Sequence, residues 1–150
     1  MILIDAVYIN DSGGKILLDY LIKELENTDK KVYYLLDERL SHITFNIKSS
    51  NTITFLKSGL KNRSVFYKKN KDAFSTVLCF ANLPPNIKLS CKVYVYFHQK
   101  LFLETPTSYN VKTKALLWLK RKVLIHFKNN TDEWIVQSDT MAKLLSKKIG

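Results

Sequence analysis

Residues 2–26, ILIDAVYINDSGGKILLDYLIKELE, decide how the rest of the chain is read. From Ile2 to Tyr8 only Asp5 interrupts the apolar run, the pattern of a strand covered on both faces in a parallel sheet. After Gly13 and Gly14, the residues Leu17, Leu18, Leu21, Ile22 and Leu25 recur at helical spacing. Lys15, Asp19, Lys23, Glu24 and Glu26 take the other side. The stretch is a strand, a loop and a helix. Ser12 is placed to cap the helix, and the glycines leave the backbone bare where orphan N–H groups and the helix dipole favour an anion. The loop is thus the first candidate for a phosphate or sugar contact, with glycines that serve only the turn as the alternative. Neither G-x-G-x-x-G nor G-x-x-x-x-G-K-[ST] occurs, which argues against a nicotinamide cofactor and against a phosphate-loop nucleotide hydrolase.

Further along, Val32–Asp37 (VYYLLD) reads as a second strand and completes a β-α-β unit. ITFNI (43–47) alternates like a short strand, and TITFL (52–56) is a clearer one. A helix over about 60–74 carries Lys61, Arg63, Lys68, Lys69 and Lys71 on a basic outer face. STVLCFA (75–81) has the look of a buried strand running into NLPPNIKL, where Pro84 and Pro85 force an extended loop. KVYVYFH (92–98) is the next strand. A helix over about 109–128 places Ala115, Leu116, Leu119, Val123 and Phe127 in one stripe. EWIVQ (133–137) is the last strand, and Ser138 caps a closing helix that turns Met141, Leu144 and Leu145 inward. Strands alternating with helices predict an α/β fold: one Rossmann-like domain over residues 1–150, its sheet doubly wound and mainly parallel with helices on both faces.

Composition bounds the chemistry. A length of 150 residues with 46% hydrophobic content suits one domain with its own core. The formal charge of +11 points to an anionic partner. Two cysteines without a C-x-x-C pair fit a reduced, cytoplasmic protein, and the sequence has neither a signal-peptide pattern nor an apolar run long enough to span a membrane.

In an open parallel sheet, ligands bind beyond the carboxyl ends of the strands. That rule collects Asn10–Gly14, Asn82, His98, Gln99 and Ser138. His98 is the sharpest single candidate, able to donate, accept or take a proton near neutral pH. His42, His98 and His126 lack metal-ligand spacing, so no metal is expected. The segment 109–128 has six basic residues and no acidic one, plus Trp118, which suits a helix lying on anionic lipid. The competing readings are a core helix with a solvated basic rim and a nucleic-acid surface. No RNP-like or helix-turn-helix signature supports the last.

The series ILIDAVYINDSGGKILLDYLI, VLCFANLPPNIKL, KVYVYFHQ followed by LFLE, and WIVQSDTMAKLL resembles the N-terminal half of a GT-B glycosyltransferase of the family-four type over nearly the whole chain. The resemblance implies an acceptor-binding domain of a bacterial enzyme that moves sugar from a nucleotide-sugar donor to a surface polysaccharide or lipid-linked glycan. It implies Gly13 and Gly14 near the diphosphate or transferred sugar, with His98 beside the sugar and Lys15 adding charge. Asn82, Gln99 and Ser138 are the further expected contacts for donor or acceptor. The nucleotide-binding contacts of such enzymes, including a Glu-x7-Glu pattern, lie in a C-terminal domain that these residues do not contain. The partner expected is that domain or a complementing chain, with no cofactor beyond the sugar donor. Trp118, Lys120, Arg121 and Lys122 are the expected membrane contacts, on the inner face of the membrane. The alternative reading is a non-enzymatic basic domain holding RNA or an acidic partner.

Overall fold

The computed structural model describes residues 1–150. The N-terminal apolar run forms β1 (Ile2–Ala6), two residues shorter than the pattern suggests. The ladder stops because the Val7 N–H donates back to Asp5 Oδ1 at 3.2 Å and Tyr8 adopts a positive φ of 108°. Then follow α1 (Ser12–Glu26), β2 (Val32–Asp37), β3 (Thr52–Leu56), α2 (Leu60–Asn70), β4 (Thr76–Cys79), β5 (Lys92–Phe97), α3 (Val111–Phe127), β6 (Glu133–Val136) and α4 (Asp139–Ile149). The six strands form one sheet in the order β3-β2-β1-β4-β5-β6. Every neighbouring pair is parallel, so the doubly wound α/β expectation holds and the sheet is wholly parallel.

Period-two alternation sends each strand to two cores. On one face Leu3, Leu35, Val77, Val93 and Val95 pack under Phe66 and Tyr67 of α2, and Phe97 extends that face to Leu124 of α3 and Leu145 of α4. On the other, Ile4, Ala6, Tyr34 and Leu36 lie under Leu18 and Ile22 of α1. Leu21 and Leu25 flank that contact, while Leu17 is exposed.

Four local readings are corrected. ITFNI is not a strand: Ile43, Phe45 and Ile47 alternate because one side docks on the α1-side core, Phe45 lying 6.3 Å from Phe55, with no ladder formed. The second helix ends at Asn70, and Arg63 belongs to its buried face. Glu26 is not merely solvated: it accepts from Tyr34 Oη, Asn51 Nδ2 and the Lys48 N–H, which hold its pKa below the usual range against the opposing effect of burial. The largest revision concerns α3. Its inward residues are Leu117 and Leu124, whereas Leu116 and Leu119 of the expected core stripe are exposed. Arg121 shares the inward side, donating from Nε to the Phe102 carbonyl at 2.6 Å. A guanidinium can pack its stem on apolar surface while its head satisfies a loop, so a face containing arginine outcompetes the purely apolar stripe here. The closing helix is capped as expected, Ser138 Oγ accepting from the Met141 N–H at 3.2 Å. No helix is long and apolar enough to cross a membrane.

Candidate functional site

The strand order changes direction between β1 and β4, and the chain leaves those two strands on opposite courses. Their carboxyl ends, with that of β5, border a cleft of about 630 Å³. Its walls include Tyr8, Gly13 and Gly14 after β1, Asn82 after β4, His98 and Gln99 after β5, and Leu119 and Lys120 of α3. A smaller hollow of about 290 Å³ lies between β6 and α4 and contains none of these residues. The only non-glycine residues with positive φ are Tyr8 (108°), Ser12 (55°) and Asn82 (63°), and all three line the cleft. Backbone strain is therefore concentrated at this rim.

Gly13 and Gly14 belong to the first turn of α1 and not to the loop before it. Asp11 occupies the N-cap position and makes no side-chain cap bond. Ser12, already inside the helix, does not cap it as the sequence suggested. The α1 terminus thus faces the cleft with no side-chain cap on its first N–H groups, and Asp11 lines the same wall. Neither glycine has a left-handed φ. A Cβ on Gly13 would meet nothing within 4 Å, and one on Gly14 would lie 3.2 Å from Ile9 Cδ1 and 4.0 Å from His98 Nε2. Backbone φ does not require glycine at either position; close packing on Ile9 disfavours a side chain at Gly14, and at Gly13 neither conformation nor packing does.

His98 is held from two directions. Asn82 Oδ1 accepts the His98 N–H at 2.7 Å and the Gln99 N–H at 3.0 Å, and Asn82 Nδ2 lies 3.4 Å from His98 Nε2. The imidazole stacks on Tyr96 with ring centres 5.2 Å apart, and Tyr96 stacks on Phe80 at 5.0 Å. Burial lowers the His98 pKa, because water no longer supports the imidazolium. Its Nδ1 has no hydrogen-bond partner in the protein.

Beneath the cleft lies a cluster that sequence reading missed. Asp5 and Arg63 are 1% and 2% exposed, with Arg63 Nε 2.7 Å from Asp5 Oδ2. Tyr67 Oη donates to the same carboxylate oxygen. Arg63 also donates to the carbonyls of Pro84 (2.6 Å) and Leu83 (2.8 Å). Cys79 sits against this group, and burial pushes its thiol up to about 12, so it is not a nucleophile at neutral pH. The sequence signal was Asp5 alone: an acid inside an apolar central strand calls for buried hydrogen-bond or cationic partners, but nothing local singled out Arg63 among the basic residues of α2.

The acid at the end of β2, where a dinucleotide fold binds ribose, is already engaged. Asp37 accepts the Tyr8 N–H at 3.1 Å and Arg39 Nη2 at 2.8 Å. Lys15 does not line the cleft: it pairs with Asp19 and lies 5.4 Å from the Phe45 ring centre. Ser138 spends its hydroxyl on the α4 cap, outside the cleft. Of the four residues expected at a membrane, Trp118, Lys120 and Lys122 are exposed, with Lys122 Nζ 5.5 Å from the centre of the Trp118 ring system. Arg121 points inward. No protein-family model, curated protein or solved structure matches the chain.

Proposed function

We propose that this chain is the acceptor-side domain of a glycosyltransferase, and that the first turn of α1 and His98 form the wall against which a sugar phosphate is held. The observation that carries the reading is the pair Gly13–Gly14. These glycines are not demanded by backbone conformation, yet they stand at an uncapped helix terminus beside a cleft. Glycines in that position suit the approach of a phosphate to backbone N–H groups. In sugar transfer the bond from the anomeric carbon to the leaving phosphate breaks as the acceptor hydroxyl oxygen bonds that carbon, the hydroxyl proton passing to the departing phosphate or to water, and charge grows on the phosphate as its bond breaks. Donors fixed at a helix terminus stabilise that charge without reorganising. The His98 ring, stacked on Tyr96 at the same wall and favoured in its neutral form by burial, adds no competing charge.

A nucleotide-binding domain facing the cleft, joined to this one or carried on another chain, supplies the remaining donor contacts. The outward side of α3 suits docking on anionic lipid, where a lipid-linked acceptor would reside: Val111, Trp118 and Lys122 are exposed on one side, and the helix has no acidic residue. The direct test is amide NMR of the chain during titration with a sugar 1-phosphate and with nucleotide-diphosphate sugars. Weak, saturable shifts at Ser12–Gly14, His98 and Gln99 are expected, with no sugar transfer by the chain alone. Shifts confined to other surfaces, or none at millimolar ligand, would remove the reading.

A further inference from the structure

The buried cluster makes its influence felt through the loop it holds. Arg63 spends Nε on Asp5 and its two terminal nitrogens on the carbonyls of Leu83 and Pro84. Those carbonyls follow directly on Asn82, whose left-handed backbone turns the chain away from β4. The Asn82 amide has one workable orientation, since its oxygen faces two backbone N–H donors, those of His98 and Gln99. Its Nδ2 therefore faces His98 Nε2, and Nδ2 has only hydrogens to offer. Nε2 facing that donor presents its lone pair and places the ring proton of neutral His98 on Nδ1, a buried position with no protein acceptor, so the Asn82 contact is set against the cost of that orphaned N–H. The nearby start of α1, the positive end of the helix dipole, favours the same arrangement.

We infer that Arg63 is a positioning residue for the cleft: through the Leu83 and Pro84 carbonyls it fixes the Asn82 turn, and through Asn82 it fixes the tautomer and orientation of His98. Its role is distinct from that of the lysines on the rest of α2. The Nε2 lone pair is thereby held by the Asn82 amide at the edge of the cleft. The inference does not depend on what the cleft binds, and its test uses no ligand.

The readout is the ring-nitrogen NMR spectrum of His98 in the full chain, above the range in which the imidazole titrates. The wild type is expected to show the Nδ1–H form. Asn82→Ala is expected to move the tautomer ratio roughly 5- to 10-fold towards the Nε2–H form that free histidine prefers, the effect of losing one hydrogen bond. Arg63→Lys keeps a cation for Asp5 but cannot reach both carbonyls as well, and is expected to shift the same signals in the same direction. Tyr67→Phe, which disturbs the cluster without touching the carbonyls, is expected to leave them in place. A folded Arg63→Lys protein with wild-type His98 signals would overturn the inference, as would a Tyr67→Phe protein that shifts them equally. Should Arg63→Lys fail to fold, Asp5→Leu/Arg63→Met replaces the pair by apolar volume and is judged by the same two results.

Discussion

Removal of the Arg63 guanidinium tests whether the Asp5–Arg63 pair organises the centre of the sheet. In Arg63→Met the Asp5 carboxylate, 1% exposed in the wild type, keeps the Tyr67 hydroxyl but loses its cation, and the Leu83 and Pro84 carbonyls lose their donors. Breaking one side of a buried pair costs ~3–5 kcal/mol. For a chain of 150 residues that corresponds to a melting-temperature drop of roughly 10–15 °C, and it takes up a large share of an ordinary domain's stability. Asp5→Leu should cost a comparable amount, since a guanidinium cannot shed its charge. The double variant Asp5→Leu/Arg63→Met leaves no buried charge but orphans the Leu83 and Pro84 carbonyls, the Val7 N–H and the Tyr67 hydroxyl, so it keeps a residual cost of ~1–3 kcal/mol per group that finds no new partner. Because neither charge is then stranded, its cost should be well below the sum of the two single costs. The cycle is measured by urea unfolding followed through fluorescence, using Trp134, which packs against Phe97 in the core. The deficit of Arg63→Met should also shrink on acidification, because proton uptake is the only way the stranded carboxylate can lose its charge. Costs that simply add, or a double variant that costs more than the sum of the singles, would refute the coupling.

Three further outcomes follow from the geometry. Gly13→Ala should leave stability unchanged or raise it by up to ~1 kcal/mol, whereas Gly14→Ala presses a methyl on buried Ile9 and should gain less or lose stability, and each should weaken sugar-phosphate binding about tenfold; unchanged binding in both variants would show that the glycines face no ligand. The chain should cosediment with anionic vesicles and release as salt rises, with Trp118→Ala and Lys120→Glu/Lys122→Glu reducing binding, whereas Arg121→Ala should instead destabilise the fold by ~1–3 kcal/mol; equal binding to neutral vesicles would exclude this surface. Burial lowers the folded-state pKa of His98, so its contribution to stability is present above the unfolded value of about 6.5 and is lost as pH falls through the lower folded value. Urea midpoints between neutral and mildly acidic pH should fall accordingly in the wild type and fall less in His98→Gln; identical slopes would contradict the burial effect.

The N-terminal run and the alternation of strand and helix were enough to determine a parallel α/β sheet, because apolar runs at strand length and stripes at helical spacing are local consequences of burial. The ends of β1, β4 and β5 were legible as well, since the rule that ligands gather at carboxyl ends needs only element order. What the sequence could not supply was which chemically similar face or group is satisfied by a distant partner. The apolar stripe of α3 was a sound helical pattern, but a carbonyl at Phe102 drew Arg121 inward and turned Leu116 and Leu119 to the surface. Arg63 looked like any basic residue of α2 until the fold placed Asp5, 58 positions away in the chain, against it. Hydrogen bonds and ion pairs across such separations depend on atomic positions fixed by the whole packed sheet. Periodicity along the chain does not encode them.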